Sequence, residues 1–402
     1  MLPASFVRVK FLPPPTLVAL KNLLYNADGY FSNICKSFVE VIMANRRDFI
    51  KQAVAASVAG SLPHTLFAQE KEKPSRKMIW ANLLHLSYNM WGDNIAEQYR
   101  DPDMECKTCL ETRFWVNGYR PFLTFDEDMW NILLKEMVSA GINMVIIDLG
   151  DAVAYESHPE IAVKNAWKPE KLKKEIVKMR KLGLEPIPKL NFSAAHDIWL
   201  GEYSRMVSTR KYYEVCSNLI NEIIDIFDTP RFFHLGMDEE LPQHQAKLNY
   251  MVVRQNELWW GDLYYLIGEV EKRNVRSWIW SDYGWNHPEM FFKKMPKSVL
   301  QSNWWYRGTS FDVDTLEEPN KTHVKFYYDL EKHGYDQVPT GSNHYIDENM
   351  EATVENCAKF IAPERLYGFM QSPWRPTLPA CMQEHQNAID QLGRAIKKYN
   401  GK

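Results

Sequence analysis

Residues 124 to 151 read Thr124-Phe125-Asp126-Glu127-Asp128-Met129-Trp130-Asn131-Ile132-Leu133-Leu134-Lys135-Glu136-Met137-Val138-Ser139-Ala140-Gly141-Ile142-Asn143-Met144-Val145-Ile146-Ile147-Asp148-Leu149-Gly150-Asp151, a complete helix-to-strand unit. Thr124-x-x-Glu127 is a capping-box pattern, in which a hydroxyl and a carboxyl three residues apart each take an orphan amide of the first turn. Trp130, Leu133, Leu134, Met137 and Val138 then recur at the helical period, and Gly141 supplies the left-handed residue that closes a helix. Asn143–Leu149 is an almost unbroken apolar run, the pattern of a parallel strand covered on both faces, and it delivers Asp148 and Asp151 where it ends.

The same unit repeats in both directions. Strands are expected at Met78–Leu86, Asn143–Leu149, Glu185–Phe192, Arg231–Gly236, Val275–Ser281, Ser298–Trp304, Tyr335–Gly341 and Leu366–Gln371. Pro169 opens a helix with Leu172, Ile176, Met179 and Leu182 on one face and Gly183 at its end, and Tyr213 to Phe227 keeps the helical period. Asn274 and Gly334 stop two more helices, and Trp259-Trp260 reads as packing within one of them. Alternation without a composition break predicts an α/β fold, a single (β/α)8 TIM barrel, rather than an open doubly wound sheet. In such a barrel the chemistry lies at the C-terminal strand ends. Polar and aromatic residues gather there: Asp148 and Asp151; Asn191, His196 and Asp197; His234, Asp238 and Glu239; Asp282; Trp304 and Trp305; His344, Tyr345 and Asp347; Trp374. The long insertion Ser87 to Phe122 is expected over the mouth.

Composition narrows the class. The chain is 45% hydrophobic and 13% aromatic, with only 6 Cys, which excludes disordered, collagen-like and disulfide-scaffold proteins. With 48 basic against 51 acidic residues nothing points to nucleic acid or an anionic membrane as partner. The 14 Trp and 20 Tyr fit a sugar cleft, because the C–H face of a pyranose covers a ring while its hydroxyls take polar partners. No run is long and apolar enough for a spanning helix. Met43 instead begins a charged segment with Arg46-Arg47, Phe49 and Lys51, followed by an Ala/Val/Gly stretch to Leu62, the pattern of a twin-arginine export signal with cleavage near Ala68. Residues 1–42 then read as an upstream extension, 43–68 as the signal, and 69–402 as the barrel of an exported, periplasmic or extracellular protein. The remaining Cys106, Cys109, Cys216, Cys357 and Cys381 are odd in number, against a fully paired framework, and Cys106-Lys107-Thr108-Cys109 lacks the second pair that zinc requires.

The sharpest segment is Phe233-His234-Leu235-Gly236-Met237-Asp238-Glu239-Glu240. A strand ends at Gly236 and two adjacent acids follow at the barrel mouth. Such acids also complement a helix dipole. In a poorly solvated pocket, however, adjacent carboxylates repel, so one pKa is expected to rise, giving an acid that can protonate a leaving oxygen beside an ionised neighbour.

The His-x-Gly-x-Asp-Glu pattern resembles glycoside hydrolase family 20, the β-N-acetylhexosaminidases and their relatives. The resemblance implies a (β/α)8 barrel and retaining cleavage in which the substrate's own 2-acetamido oxygen is the nucleophile, an exception to the two-carboxylate scheme. It assigns the acid/base to Glu239 and the acetamido-orienting carboxylate to Asp238. It matches Tyr345-Ile346-Asp347 to a Tyr that bonds the acetamido carbonyl, and Trp280 (before Asp282), Trp304 or Trp305, and Trp374 to the walls of the sugar pocket. His234, Asn191, His196, Asp148 and Asp282 complete the expected substrate-binding set. The likeness spans roughly residues 78 to 395 and departs in places. A sugar-binding Arg near the first strand end is replaced by Asn82-Leu83-Leu84-His85, the third strand lacks the family's acids at Lys189-Leu190-Asn191, and Pro376 stands where the family has Glu.

The expectation is a secreted glycoside hydrolase acting on β-linked sugars, N-acetylhexosamines among them, with an oligosaccharide or glycan as partner and no cofactor or metal. Two alternatives stay open: a carbohydrate-binding barrel without catalysis, and a metal-dependent sugar-processing barrel using His85, Asp148, Asp238, Asp282 or His344. The absence of Gly-x-Gly-x-x-Gly, Walker, Gly-x-Ser-x-Gly and His-Glu-x-x-His patterns argues against dinucleotide, P-loop, serine-hydrolase and zincin chemistry.

Overall fold

The computed structural model describes residues 77–94 and 118–401. The expected upstream extension and export signal, and the Cys106/Cys109 pair, lie outside the described residues, as does most of the insertion after the first strand.

Parallel strands β1 (Ile79–His85), β2 (Met144–Asp148), β3 (Glu185–Lys189), β4 (Phe232–His234), β5 (Arg276–Trp280), β6 (Leu300–Ser302), β7 (Thr340–Gly341) and β8 (Gly368–Gln371) form an eight-stranded sheet in the order β6-β5-β4-β3-β2-β1-β8-β7. Parallel bridges Gln301 to Gln337 and Trp304 to Thr340 join the two edges, closing the (β/α)8 barrel. All eight expected strands are present, with shorter ends. The helix after β1 spans Glu127–Ser139, and its N-cap is Asp126, whose carboxylate accepts from the Met129 amide. This corrects the Thr124 capping box: Asp126 lies one residue from the helix and an ionised oxygen is the stronger acceptor. Gly141, Gly183, Asn274 and Gly334 take the expected left-handed conformation at helix ends.

The period of two along each strand divides the core. Trp80, Leu84, Val145 and Ile147 face outward, against Trp130, Leu133, Leu134 and Met137 of the first helix. Ile79, Ala81, Leu83, Met144, Ile146, Ile187, Phe232, Trp278, Leu300 and Met370 face inward and fill the barrel. Trp259 and Trp260 are fully buried in the outer layer on the helix Glu257–Glu271, as packing residues. Gly368 shows why β8 can lie against β1: its φ is +155°, and a Cβ there would meet Ile79 O at 2.1 Å. Among the described residues no helix is long and apolar enough to cross a membrane.

At the top of the inward stack the pattern turns ionic. Lys189, wholly buried, hydrogen-bonds Asp148, and His85 Nδ1 lies 3.5 Å from the same carboxylate. Burial opposes the Asp148 charge, but the Lys189 ammonium overrides it and holds the pKa below the usual carboxylate range, while burial lowers that of His85. Removing one member of a buried pair strands the other charge. Lys189→Met is therefore expected to lower unfolding free energy by about 3–5 kcal/mol in urea titration, and adding Asp148→Asn should recover most of the loss. A single variant as stable as the parent would contradict the pairing.

Candidate active site

The loop after β4 is built around one side chain, Asn191, two residues past the end of β3. Its Oδ1 accepts from the amides of Ser193 and Met237 at 3.1 and 3.2 Å, and its Nδ2 donates to Asp238 Oδ1 at 2.8 Å. Gly236 makes this approach possible: it has φ +72°, and a Cβ there would stand 1.9 Å from Asn191 Oδ1. Met237 and Glu239 also take positive φ, 74° and 56°. Backbone strain of this kind persists only where the surroundings hold it. The hold comes from two sides. Asp282, after β5, accepts the Glu239 amide at 2.8 Å and the Trp304 indole N–H at 3.3 Å. Glu240 accepts the Ala194 amide and pairs with buried Arg254, which also pairs with Asp262. The third acid of the Asp-Glu-Glu run is thus a structural anchor.

His196 bridges the two acids the sequence singled out. Its Nδ1 lies 3.2 Å from Asp238 Oδ1 and its Nε2 lies 3.1 Å from Glu239 Oε2. Burial of the ring opposes its charge, but the adjacent Asp238 carboxylate and the hydrogen bonds prevail and raise the His196 pKa to about 10. For Asp238 burial alone would favour the neutral form; the His196 cation prevails and holds its pKa well below the usual carboxylate range. The expected raised carboxyl is therefore not Asp238. It is Asp282, where burial first, and the Asp238 charge second, push the pKa up to about 8. Glu239 remains the more accessible acid, with 29% of its side chain exposed; its Oε1 makes no hydrogen bond among the described residues, but His244 Nε2, also in the cleft wall, lies 3.9 Å from it.

Both acids open into a cleft of about 1220 Å³. His196, Asp238, Glu239, Asp282, Trp304, Trp305, Tyr345 and Trp374 of the expected set line it. Trp304 faces the space, its ring 5.0 Å from that of Tyr306 and 4.5 Å from that of Trp285, whereas Trp305 turns mostly outward onto Phe311. Tyr345 stands on the rim, 53% exposed.

Other expected residues are placed below or outside the cleft. Asn191 acts through Asp238. His234 is fully buried and held neutral by burial, so its Nδ1 accepts the Gly236 amide at 3.1 Å. Trp280 is buried beneath Trp374, ring centroids 6.0 Å apart. Asp148 is committed to Lys189 in the barrel interior, and Asp347 is an exposed residue accepting from Asn387 at 3.1 Å; neither lines the cleft. His85, Asp148, Asp238, Asp282 and His344 are not gathered into one ligand set, and among the described residues no group of three metal-binding side chains converges.

The sequence reading missed Tyr88 and Trp91, which line the cleft from the described start of the β1 insertion, with Trp91 edge-on to His196 at 5.5 Å. It also missed Lys189 and Arg375. Lys189 carried a signal: it continues the inward period set by Ile187, where an apolar residue would otherwise stand.

A raised pKa means that the folded state holds a proton the unfolded chain has lost. The stability His196 gains from its partners is full below about 6.5 and is lost as pH rises through about 10. Asp282 keeps its proton in the folded state between about 3.8 and about 8, so its burial also lowers stability as pH rises through that window. Urea unfolding followed from pH 6.5 to 10 is expected to show declining stability, and His196→Gln should flatten the upper part of the decline. An unchanged slope would mean that His196 does not carry the charge.

No known family profile matches the chain, and no curated protein matches it in sequence. Solved structures share its fold. The exo-β-N-acetylglucosaminidase of family GH20 from Vibrio harveyi is 11% identical with a TM-score of 0.51, over 81% of this chain and 57% of that one. The chitobiase of Flavobacterium johnsoniae is 16% identical with a TM-score of 0.48, over 69% of this chain and 50% of that one. The chain spans about half the length of these structures, and what it shares with the Vibrio harveyi enzyme is the (β/α)8 barrel fold.

Proposed function

We propose that the chain is a glycoside hydrolase for β-linked sugars, N-acetylhexosamines among them, with Glu239 as general acid/base. The observation that carries the reading is the disposition of Glu239: Oε2 is held by His196 while Oε1, with only His244 Nε2 near it at 3.9 Å and no hydrogen bond among the described residues, faces an aromatic cleft. A pyranose in that cleft stacks on Trp304 or Trp374 and offers its glycosidic oxygen to Oε1. The Glu239 carboxylic acid gives its proton to that oxygen as the C1–O bond breaks. The substrate's acetamido oxygen bonds to C1 from the other face, and Asp238, kept ionised by His196, accepts the acetamido N–H and balances the positive charge. Glu239, now a carboxylate, takes a proton from the water that opens the intermediate, and the anomeric configuration is retained. Arg46-Arg47 and the segment after it support export by the twin-arginine route as part of the same reading.

Glu239→Gln is expected to lower kcat on an alkyl β-N-acetylglucosaminide by about 10²–10⁴-fold. The loss should be smaller on an aryl glycoside whose leaving group needs no proton. Asp238→Asn should lower kcat on both substrates alike, because its role does not depend on the leaving group. Equal losses on the two substrates for Glu239→Gln would remove it from the acid role. Undetectable turnover of any glycoside by the parent protein, with sugar binding intact, would leave a carbohydrate-binding barrel.

A further inference from the structure

The cleft keeps its acids and its guanidinium groups on different loops. Asp238, Glu239 and Asp282 enter from the loops after β4 and β5, and two guanidinium groups, Arg307 and Arg375, enter from the loops after β6 and β8. Arg375 is only 4% exposed. Its Nη1 donates to His344 Nδ1 at 2.8 Å and to Trp374 O at 2.9 Å, both uncharged acceptors, because a ring nitrogen that accepts bears no proton. Its Nε is buried without a partner, and Arg375 pairs with no carboxylate among the described residues. Arg254, buried to the same degree, shows the usual arrangement: it is paired with both Glu240 and Asp262. Arg307 lies over the Tyr345 ring at 4.4 Å and donates to the Tyr345 hydroxyl at 3.3 Å, again without a carboxylate partner among the described residues.

A buried guanidinium with no counter-charge among the described residues is costly to keep, so its presence in a cleft wall calls for an explanation. Neutral sugar hydroxyls would satisfy its N–H groups but leave the charge uncompensated. An oxyanion satisfies both, and the planar fork fits carboxylate and sulfate oxygens in pairs. Resting on the sugar-cleft reading above, we propose that the substrate is an acidic glycan. The cleft would take a sugar that carries an oxyanion, carboxylate or sulfate, with Arg375 as its principal contact and Arg307 drawing the anion in from the rim. Arg375 would then set specificity, with Glu239 and Asp238 doing chemistry on the opposite wall.

The test is calorimetric binding of matched pairs to the full chain: glucuronic acid against glucose, and N-acetylglucosamine 6-sulfate against N-acetylglucosamine. The acidic member of at least one pair is expected to bind roughly ten- to a hundredfold more tightly, the range for hydrogen bonds to a charged group. Whichever pair shows the preference names the oxyanion, and the preference should shrink as salt is added. Arg375→Gln should abolish it, Arg375→Lys should keep a part, and Arg307→Gln should weaken it less. Because the readout is binding, Glu239→Gln protein should show the same preference even if no glycoside is ever turned over, so the two proposals fail separately. Equal binding within both pairs by the parent protein, or a preference that survives Arg375→Gln in a folded variant, overturns the proposal.

Discussion

One imidazole ring organises this site. His196 stands between Asp238 and Glu239, and its charge decides what each can be. Without a cation between them, two neighbouring acids in a poorly solvated pocket would share a proton, and neither would have a defined role. With it, Asp238 is ionised and fixed, and one Glu239 oxygen is tethered while the other stays open to ligand. The strained Gly236–Glu239 turn brings the three groups together, and it is held by Asn191 beneath, by Asp282 at the side and by the Glu240–Arg254–Asp262 chain behind. Many weak local contacts thereby stabilise one conformation that the backbone alone would not choose.

The barrel supplies the rest by geometry. Strand periodicity places apolar side chains inward through the lower layers and polar ones in the top layer, so the polarity of the interior changes within a residue or two of the strand ends. The Lys189–Asp148–His85 cluster is the boundary. Lys189 also bears on the site at a distance, since its charge adds to the forces that keep Asp238 ionised and His234 neutral. The resulting cavity carries acids on the loops after β4 and β5, guanidinium groups on those after β6 and β8, and aromatic rings in its lining.

Most of the scaffold was legible in the sequence because buried parallel strands are read from continuous apolar runs and helix ends from Gly and Pro, signals that do not depend on distant contacts. The acid pair was legible because Gly236 marks the turn after β4. What the sequence could not convey is which way a side chain faces once its strand has ended. Asp148 and Asp238 look alike there: each is an acid at the end of an apolar run. The difference is a neighbour far along the chain, Lys189 for one and His196 for the other. Trp304-Trp305 shows the same limit, since adjacent residues face opposite sides and only one can be central to the cleft. Asp347 matched a spacing without sharing its surroundings, because the loop after β7 turns it to solvent beside Asn387.

The most direct test is a crystal structure with an uncleavable S-linked disaccharide of N-acetylglucosamine. The account predicts that the bridging sulfur faces Glu239 Oε1, that Asp238 accepts the acetamido N–H, and that a sugar face lies on Trp304 or Trp374. A ligand whose bridging atom lies away from Glu239, or whose amide sits across the cleft against Arg375, would contradict it.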